Sequence, residues 1–210
     1  MIHVLIADDH AIVRKGLIQI LRDAPDGFDV DEAESGHEVL EKIGSRRYHV
    51  VVLDITMPGR SGLDVLFQIR ARYPDLPVLI LSMHPEDQYA VRVLKAGASG
   101  YLMKESAPDE LIRAVRKVAD GGKYITASVA ERLVNSLEKG GERKPHEKLS
   151  DREFEVLLML AQGRPVKEIA KKLFISAKTV HTYRSRVLEK MEMKTTAELI
   201  HYAIQNRLVE

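Results

Sequence analysis

Short apolar runs alternate with amphipathic segments along the first 120 residues of this 210-residue chain. Four runs are almost purely apolar, which favours strands buried on both faces of a sheet. They lie at 2–7, 50–54, 78–82 and 100–103, and a fifth run at 28–33 alternates like a half-covered strand. Apolar residues spaced three and four apart predict helices at 11–21, 35–43, 62–72, 86–96 and 109–120. Five strands alternating with five helices predict an α/β doubly wound, five-stranded parallel sheet with helices on both faces.

The last part of the chain carries only helical patterns and predicts a small all-α domain. Ser150, followed three residues later by Glu153, predicts a capping box that opens its first helix. A short helix starting at 165 or 166 and a longer one over 177–191 are separated by the turn 174–176. A fourth helix is predicted from Thr195. Two helices joined by such a turn indicate a helix-turn-helix inside a four-helix domain.

Glycine and proline mark the boundary between the two patterns. Gly121 and Gly122 end the fifth helix, one amphipathic helix is predicted over 127–137, and the segment 139–145 is polar, contains glycine and ends on proline. We therefore divide the chain into a first domain at 1–121, a linker with a helix at 122–144, and a second domain at 145–210.

Polar residues stand at the carboxyl ends of four predicted strands, where open α/β sheets bind ligands. They are Asp8, Asp9, Asp54, Ser82 and Lys104. Clustered carboxylates repel one another unless a cation lies among them, and oxygen ligands with no His or Cys favour Mg²⁺. Mg²⁺ with a lysine can stabilise a phosphoryl group in transfer, and Asp54 on the central strand is placed to attack phosphorus. Asp54 alone could also be a turn former, and His10 and His84 are interpreted as polar loop residues.

Charge is unevenly distributed along the chain, although the net charge is only +1. Residues 1–120 hold 15 Lys and Arg against 19 Asp and Glu, whereas 145–210 hold 12 against 9. An acidic front and a basic back indicate separate partners for the two ends, and a flexible linker would let the first mask the second. The absence of cysteine excludes disulfides and thiolate sites. No apolar run is long enough for a membrane span and no leader is evident, so we expect a cytoplasmic protein with no membrane partner.

The predicted helix over 177–191 has a polar and cationic outer face. The residues expected on it are Lys178, His181, Thr182, Arg184, Ser185 and Arg186. Such a face suits phosphates and base edges in the major groove of DNA, but exposed helix faces are commonly polar, so composition leaves an ordinary solvated face open.

The strand-end residues make 1–120 resemble the receiver domain of two-component response regulators. The matching residues are Asp8, Asp9, Asp54 with Met57-Pro58-Gly59, Ser82, Tyr101 and Lys104. The resemblance implies a flavodoxin-like fold and a sensor histidine kinase that phosphorylates Asp54. It implies Mg²⁺ on Asp9, Asp54 and the Thr56 carbonyl, with Asp8 acting through water. The family usually has proline after the lysine, where this chain has Glu105.

The same resemblance implies roles around the phosphate. Ser82 and Lys104 would hold the phosphoryl oxygens, and Tyr101 would swing inward as Ser82 moves. Thr56 and His84 would flank the attacking water and tune the lifetime of the phosphate. For Tyr101 a plain core position remains open, since aromatic residues commonly fill cores.

Residues 149–203 resemble the LuxR-type DNA-binding domain, through the motifs at 149–157, 167–170 and 175–180. The whole chain is therefore similar to NarL/FixJ-family response regulators. That implies double-stranded promoter DNA as partner, with DNA contacts from Lys178, Thr179, His181, Thr182, Arg184 and Ser185. From the uneven charge we further expect that phosphorylation frees the basic domain and lets two chains form a homodimer on DNA. We expect the fourth helix to pair, because Leu199, Ala203 and Ile204 exceed what so small a core needs.

Two alternatives remain. A phosphohydrolase of the haloacid-dehalogenase type also uses a strand-end aspartate with Mg²⁺, but it needs a second aspartate two residues on, where this chain has Thr56. A DNA-binding regulator independent of phosphorylation would not need the full set of pocket residues. We expect a regulator that catalyses only its own phosphoryl transfer and dephosphorylation.

Overall fold

The computed structural model describes residues 1–25, 27–57, 61–83, 86–106, 108–138, 144–206 and 208–209. The chain divides into two compact units, Met1–Leu137 and Glu138–Glu210. The division falls inside the linker predicted at 122–144. Among the described residues, no helix combines the length and the apolar character needed to cross a membrane.

The first unit has the predicted alternation of strands and helices, followed by one more helix. The strands are β1 (Ile2–Ala7), β2 (Phe28–Ala33), β3 (Val50–Asp54), β4 (Val78–Ser82) and β5 (Gly100–Met103). The helices are α1 (Ala11–Arg22), α2 (Gly36–Ser45), α3 (Gly62–Arg72), α4 (Glu86–Lys95), α5 (Pro108–Ala119) and α6 (Ala127–Glu138). All strand pairs are parallel and the order is β2-β1-β3-β4-β5, so the doubly wound fold is confirmed.

The strand register brings the polar residues at the strand ends to one edge of the sheet. Ala7 pairs with Leu53, Asp54 with Leu81, and Ser82 with Met103, so β1, β3, β4 and β5 all end at nearly the same level. Every residue of β3 and β4 is buried, because helices cover both faces of the sheet. The polar residues that follow these strands therefore emerge together at the carboxyl edge.

The edge of the sheet extends past the predicted boundary at residue 121. The Tyr124 N–H donates to the Ser99 carbonyl at 2.9 Å, and the Tyr101 N–H donates to the Tyr124 carbonyl at 3.2 Å. Lys123 Nζ donates to the Ala98 carbonyl at 3.1 Å. These bonds attach the start of the predicted linker to β5.

The second unit contains the four predicted helices behind a short 3-10 turn at Pro145–Lys148. They are α7 (Asp151–Ala161), α8 (Val166–Lys172), α9 (Ala177–Lys190) and α10 (Thr196–Gln205). The predicted capping box is present, since Ser150 accepts from the Glu153 N–H and the Glu153 side chain accepts from the Ser150 N–H. Ile169, Leu173 and Val180 pack α8 and α9 into one core, which confirms the helix-turn-helix.

One predicted surface is wrong in part. Leu199 and Ala203 of α10 are fully buried within their own unit, so they cannot form an exposed pairing face. Their apolar surface is covered by the rest of the helical domain, against which α10 packs chiefly through α7. Only Ile204 of the three stays open, with 53% of its surface exposed.

Glycine at position 62 is required by its approach to the end of β3. A Cβ there would be much closer to the Asp54 carbonyl oxygen than the sum of the two van der Waals radii, and would lie 2.8 Å from Ile55 Cα. Gly62→Ala should therefore lower the free energy of unfolding by about 2 kcal/mol or more, because a packed backbone must move. Urea denaturation followed by circular dichroism measures the effect.

Gly16 provides the matched control, because a Cβ on this exposed α1 residue meets nothing within 4 Å. Gly16→Ala should raise the free energy of unfolding by about 0.5–1 kcal/mol through helix propensity. Equal effects of the two alanines would contradict the close approach at Gly62.

Candidate functional site

The ammonium group of Lys104 lies between two buried carboxylates. Lys104 Nζ is 2.6 Å from Asp8 Oδ2 and donates a hydrogen bond to Asp54 Oδ2 at 2.7 Å. The carboxylate side chains of Asp8 and Asp54 are 1% and 2% exposed. The structure therefore brings together three of the predicted strand-end residues at the carboxyl edge of the sheet.

Main-chain donors orient the two carboxylates. The Thr56 N–H donates to Asp54 Oδ1 at 3.1 Å, and the His10 N–H donates to Asp8 Oδ1 at 2.8 Å. Each carboxylate thus turns one oxygen towards the backbone and the other towards Lys104. Asp54 is held in one orientation, which is what a nucleophile in a positioned reaction needs.

Burial dominates the protonation of Asp54. Burial, with a smaller contribution from the Asp8 charge, raises the pKa of Asp54 from an ordinary 3.8 to about 6 against the opposing effect of the Lys104 ammonium. Burial alone would lower the pKa of Lys104, but the two facing carboxylates outweigh it and raise that pKa. Lys104 is therefore a permanent cation in the pocket, and it compensates only part of the negative charge.

The acidic groups fit a hard divalent cation. One ligand atom from each of Asp8, Asp9, His10 and Asp54 lies within 4.8 Å of the others. Asp9 Oδ1 is buried and accepts no well-aligned hydrogen bond from any described residue, although His10 Nδ1 lies 3.0 Å away, so a bound cation would satisfy this oxygen. Carboxylate oxygens in this number suit Mg²⁺, with Asp8, Asp9 and Asp54 as the residues that would hold it.

His10 was left outside the site by the sequence interpretation. Its Nδ1 lies 3.0 Å from Asp9 Oδ1 and 3.4 Å from Asp8 Oδ1, although two thirds of its side chain is exposed. Its position directly after the acidic pair was the available signal. The spacing rules for metal sites could not use it, because they rest on pairs of histidines or cysteines.

Arg14 of α1 was also missed. Its guanidinium donates to the Asp8 carbonyl at 2.6 Å and to Glu32 Oε2 at 2.7 Å, and the residue is buried. It joins the acidic loop to the end of β2. No sequence signal distinguishes it from a surface arginine, since only the register of β1 and β2 brings Glu32 within its reach.

The remaining receiver residues have separate positions. Ser82 is fully buried at the end of β4, and its carbonyl accepts from the Lys104 N–H at 2.8 Å. Tyr101 is 1% exposed, so its side chain already lies inward. The bond between Lys104 and Glu105 is trans. Pro58, Gly59 and His84 lie outside the described residues.

The outer face of α9 divides into exposed and engaged residues. Lys178, His181, Thr182 and Ser185 are exposed. Thr179 is half-buried with its hydroxyl 2.8 Å from Ser176 Oγ, and the half-buried Arg184 donates through Nε to Thr196 Oγ1 at 2.8 Å. The predicted set therefore contains four exposed residues and two half-buried ones, and among the exposed ones the Thr182 hydroxyl donates to the Lys178 carbonyl at 3.1 Å.

Two family models match this chain in sequence. The response regulator receiver domain matches residues 4–116, and the luxR family of bacterial regulatory proteins matches 147–203. The oxygen regulatory protein NreC of Staphylococcus epidermidis is 39% identical across 99% of both chains. The response regulator UvrY of Escherichia coli is 36% identical, over 99% of this chain and 96% of its own. The chain belongs to the NarL/FixJ family of response regulators.

Solved structures of response regulators are similar to this chain over almost its whole length. RcsB of Salmonella enterica serovar Typhimurium, bound to a promoter in the presence of the phosphomimetic BeF3⁻, is 29% identical, with a TM-score of 0.62 over 96% of this chain and 97% of its own. A structure of two RcsB dimers bound to two parallel DNAs has a TM-score of 0.58 at 29% identity, covering 100% and 99%. The response regulator is a transcription factor with a receiver domain and a DNA-binding domain.

The raised pKa of Asp54 predicts a dependence of stability on pH. Between pH 3.8 and about 6 the unfolded chain has lost a proton that the folded chain keeps, so ionising Asp54 destabilises the fold as pH rises. Without metal, Asp54→Asn should therefore have a higher free energy of unfolding than the wild type. This difference should grow by about 2 kcal/mol between about pH 4.5 and 7.5, because only the wild type loses stability as Asp54 ionises.

Urea denaturation in a chelator measures this margin across the pH range. The control is Asp75→Asn, the same substitution at an exposed residue outside the pocket. A margin for Asp54→Asn that changes with pH no more than that of Asp75→Asn, or that shrinks as pH rises, would contradict the raised pKa of Asp54.

Proposed function

We propose that Asp54 accepts a phosphoryl group from a sensor histidine kinase with Mg²⁺, and that this favours dimeric binding to promoter DNA. The observation that carries the proposal is the buried Asp54 carboxylate, oriented by the Thr56 N–H and contacted by Lys104 Nζ at 2.7 Å. An Asp54 oxygen attacks phosphorus, the bond from phosphorus to the kinase histidine nitrogen breaks, and the histidine leaves neutral. Mg²⁺ held by Asp8, Asp9 and Asp54, with the Thr56 carbonyl, would supply charge neutralisation for the transferred group.

Each pocket residue has a separate role in this proposal. Lys104 and the hydroxyl of Ser82 hold phosphoryl oxygens, and Tyr101 responds to the movement of Ser82. Thr56 borders the path of an attacking water and so tunes dephosphorylation, together with His84, which lies outside the described residues. Thr56 offers no carboxyl group as general acid, so the acyl phosphate persists, as a regulator requires and a phosphohydrolase does not.

The proposed DNA contacts come from α9. Lys178, His181, Thr182 and Ser185 face the major groove, while Thr179 and Arg184 border it from half-buried positions. RcsB, similar over almost the whole chain, was solved on promoter DNA and as dimers on DNA, which supports promoter sites and a homodimer here. Because the proposed partner is chromosomal DNA, the proposal includes a cytoplasmic location.

The charge distribution supports masking at rest. Residues 1–120 hold four more acidic than basic side chains, while 145–210 hold three more basic than acidic ones. Opposite charges on tethered domains attract one another at high effective concentration. Phosphorylation then favours the open, paired state to the extent that this state binds the phosphoryl group better.

Phosphorylation of the full chain with acetyl phosphate and Mg²⁺ tests the proposal. One phosphoryl group, sensitive to hydroxylamine, should appear at Asp54, because an oriented carboxylate beside a cation needs no further nucleophile. The affinity for a duplex selected from random sequence on the wild-type chain should rise about 5- to 150-fold, and the mass in solution should double. Mass spectrometry, fluorescence anisotropy and light scattering measure the three effects.

Asp54→Asn should show none of these changes, and Asp75→Asn should show all of them. Label retained in Asp54→Asn would assign the phosphoryl group to another residue. A labelled wild type with unchanged mass and affinity would exclude phosphorylation control, and sustained turnover of small phosphate esters would favour the phosphohydrolase.

Salt dependence tests the contact of α9 with DNA. Removing a cation that neutralises one phosphate should weaken binding to all duplexes alike and lower the slope of log affinity against log salt by about one. Lys178→Ala should show this loss in full. Arg184→Ala should show less, because its Nε is already bonded to Thr196.

Lys15 on α1 is the matched control, since it is an exposed lysine of the receiver unit. Lys15→Ala should leave both slope and affinity unchanged. If Lys178→Ala behaves like Lys15→Ala, α9 does not contact the phosphates.

A further inference from the structure

Phe174 holds a backbone conformation that favours glycine. Its φ is 53°, in the left-handed region, where the Cβ of an L-residue crowds the following carbonyl. The Ile175 N–H donates to the Ala170 carbonyl at 3.0 Å and the Phe174 N–H to the Lys171 carbonyl at 3.3 Å, which is the hydrogen-bond pattern that ends a helix with glycine. A phenylalanine at this position is strained, and the strain calls for a compensating role.

The ring of Phe174 gains nothing from the core of its own domain. It is 68% exposed, whereas the adjacent Leu173 is buried and Ile175 packs partly against the core. The turn therefore places an aromatic side chain in solvent at a site where glycine would fold more easily. The strained backbone and the exposed aromatic ring each cost free energy in the unbound protein. Burial of the ring against a partner would offset both costs.

The charge around Phe174 selects the partner. Between 169 and 188 the chain has Lys171, Lys172, Lys178, Arg184 and Arg186 and no acidic residue. Phe174 Cα is also within about 7 Å of Ser176, which caps the N-terminal end of α9, since two residues span no more than that. A polyanion fits this surface, and duplex DNA is the polyanion already proposed for α9, which begins directly after this turn.

We propose that Phe174 packs on the apolar surface of duplex DNA beside the groove entered by α9, on deoxyribose carbons and thymine methyl groups. The lysines next to it contact the phosphates, and the ring adds a contact that releases no counterions. This inference rests on the proposed role of α9 in DNA binding. It assigns a strained residue of the turn, rather than of the helix, to the DNA interface.

Glu192 supplies a matched control within the same domain. It has a φ of 57° and is exposed. It ends α9 with the same pattern, in which the Met193 N–H donates to the Leu188 carbonyl at 2.8 Å and the Glu192 N–H to the Glu189 carbonyl at 3.0 Å. The two positions share backbone strain and exposure but differ in side chain and in their distance from the N-terminal end of α9.

The experiment compares Phe174→Gly, Phe174→Tyr and Glu192→Gly in the full chain, phosphorylated with acetyl phosphate and Mg²⁺. Both glycine variants should melt at the wild-type temperature or up to about 4 °C higher, since glycine relieves the strain but loses entropy on folding. Phe174→Gly should weaken binding to the duplex selected on the wild-type chain about 5- to 30-fold, with an unchanged salt slope. Phe174→Tyr and Glu192→Gly should bind within about twofold of the wild type, well below the loss expected from removing a buried ring.

The opposite results overturn the inference. Equal affinity of Phe174→Gly and the wild type shows that no DNA covers the ring, and a lower melting temperature shows that the ring serves the fold. A fall in mass in solution shows that a second copy covers it. Lys178→Ala in the same assay separates DNA binding by α9 from the DNA contact of Phe174. If Lys178→Ala weakens DNA binding while Phe174→Gly does not, only the inference about Phe174 is rejected.

Discussion

The contact of the Lys104 ammonium with the buried carboxylates of Asp8 and Asp54 is the constraint on which the receiver unit depends. Two charges of one sign inside a protein repel each other and lose their hydration, and a cation at 2.6 and 2.7 Å offsets part of that cost. The cation can reach both only because β1, β3 and β5 are parallel and end level. The contacts in the pocket therefore depend directly on the order and direction of the strands in the sheet.

The sheet could be predicted because its signals are local. Runs such as Val50–Asp54 have a length and composition that fit only a buried strand, and the parallel order then places the strand ends together. Asp8, Asp54 and Lys104 followed from that geometry. Arg14 did not, since its role depends on the Glu32 carboxylate and the Asp8 carbonyl, both of which reach it only in the folded register.

The prediction of an exposed apolar pairing face on α10 was wrong for a related reason. An amphipathic pattern shows that Leu199 and Ala203 are covered, but not by what, and the covering surface here belongs to the same unit. The orientation of α9 is likewise set at a distance. Lys190 near its end donates to Glu153 Oε2 at 2.6 Å, and the same carboxylate accepts from the Ser150 N–H at 2.7 Å. A residue of the helix cap of α7 thus also fixes α9, the helix from which the DNA contacts are proposed.

Charge limits how phosphorylation could release the second unit in the proposed masking. The acyl phosphate carries about one more negative charge than the carboxylate that it replaces. This makes residues 1–120, already with 19 acidic against 15 basic side chains, more attractive to a basic domain. Electrostatic attraction alone would therefore strengthen masking. In the proposed masking, release would therefore come from a difference in shape between the two states. Ser82 and Tyr101, which are buried on β4 and β5, are the residues proposed to change position.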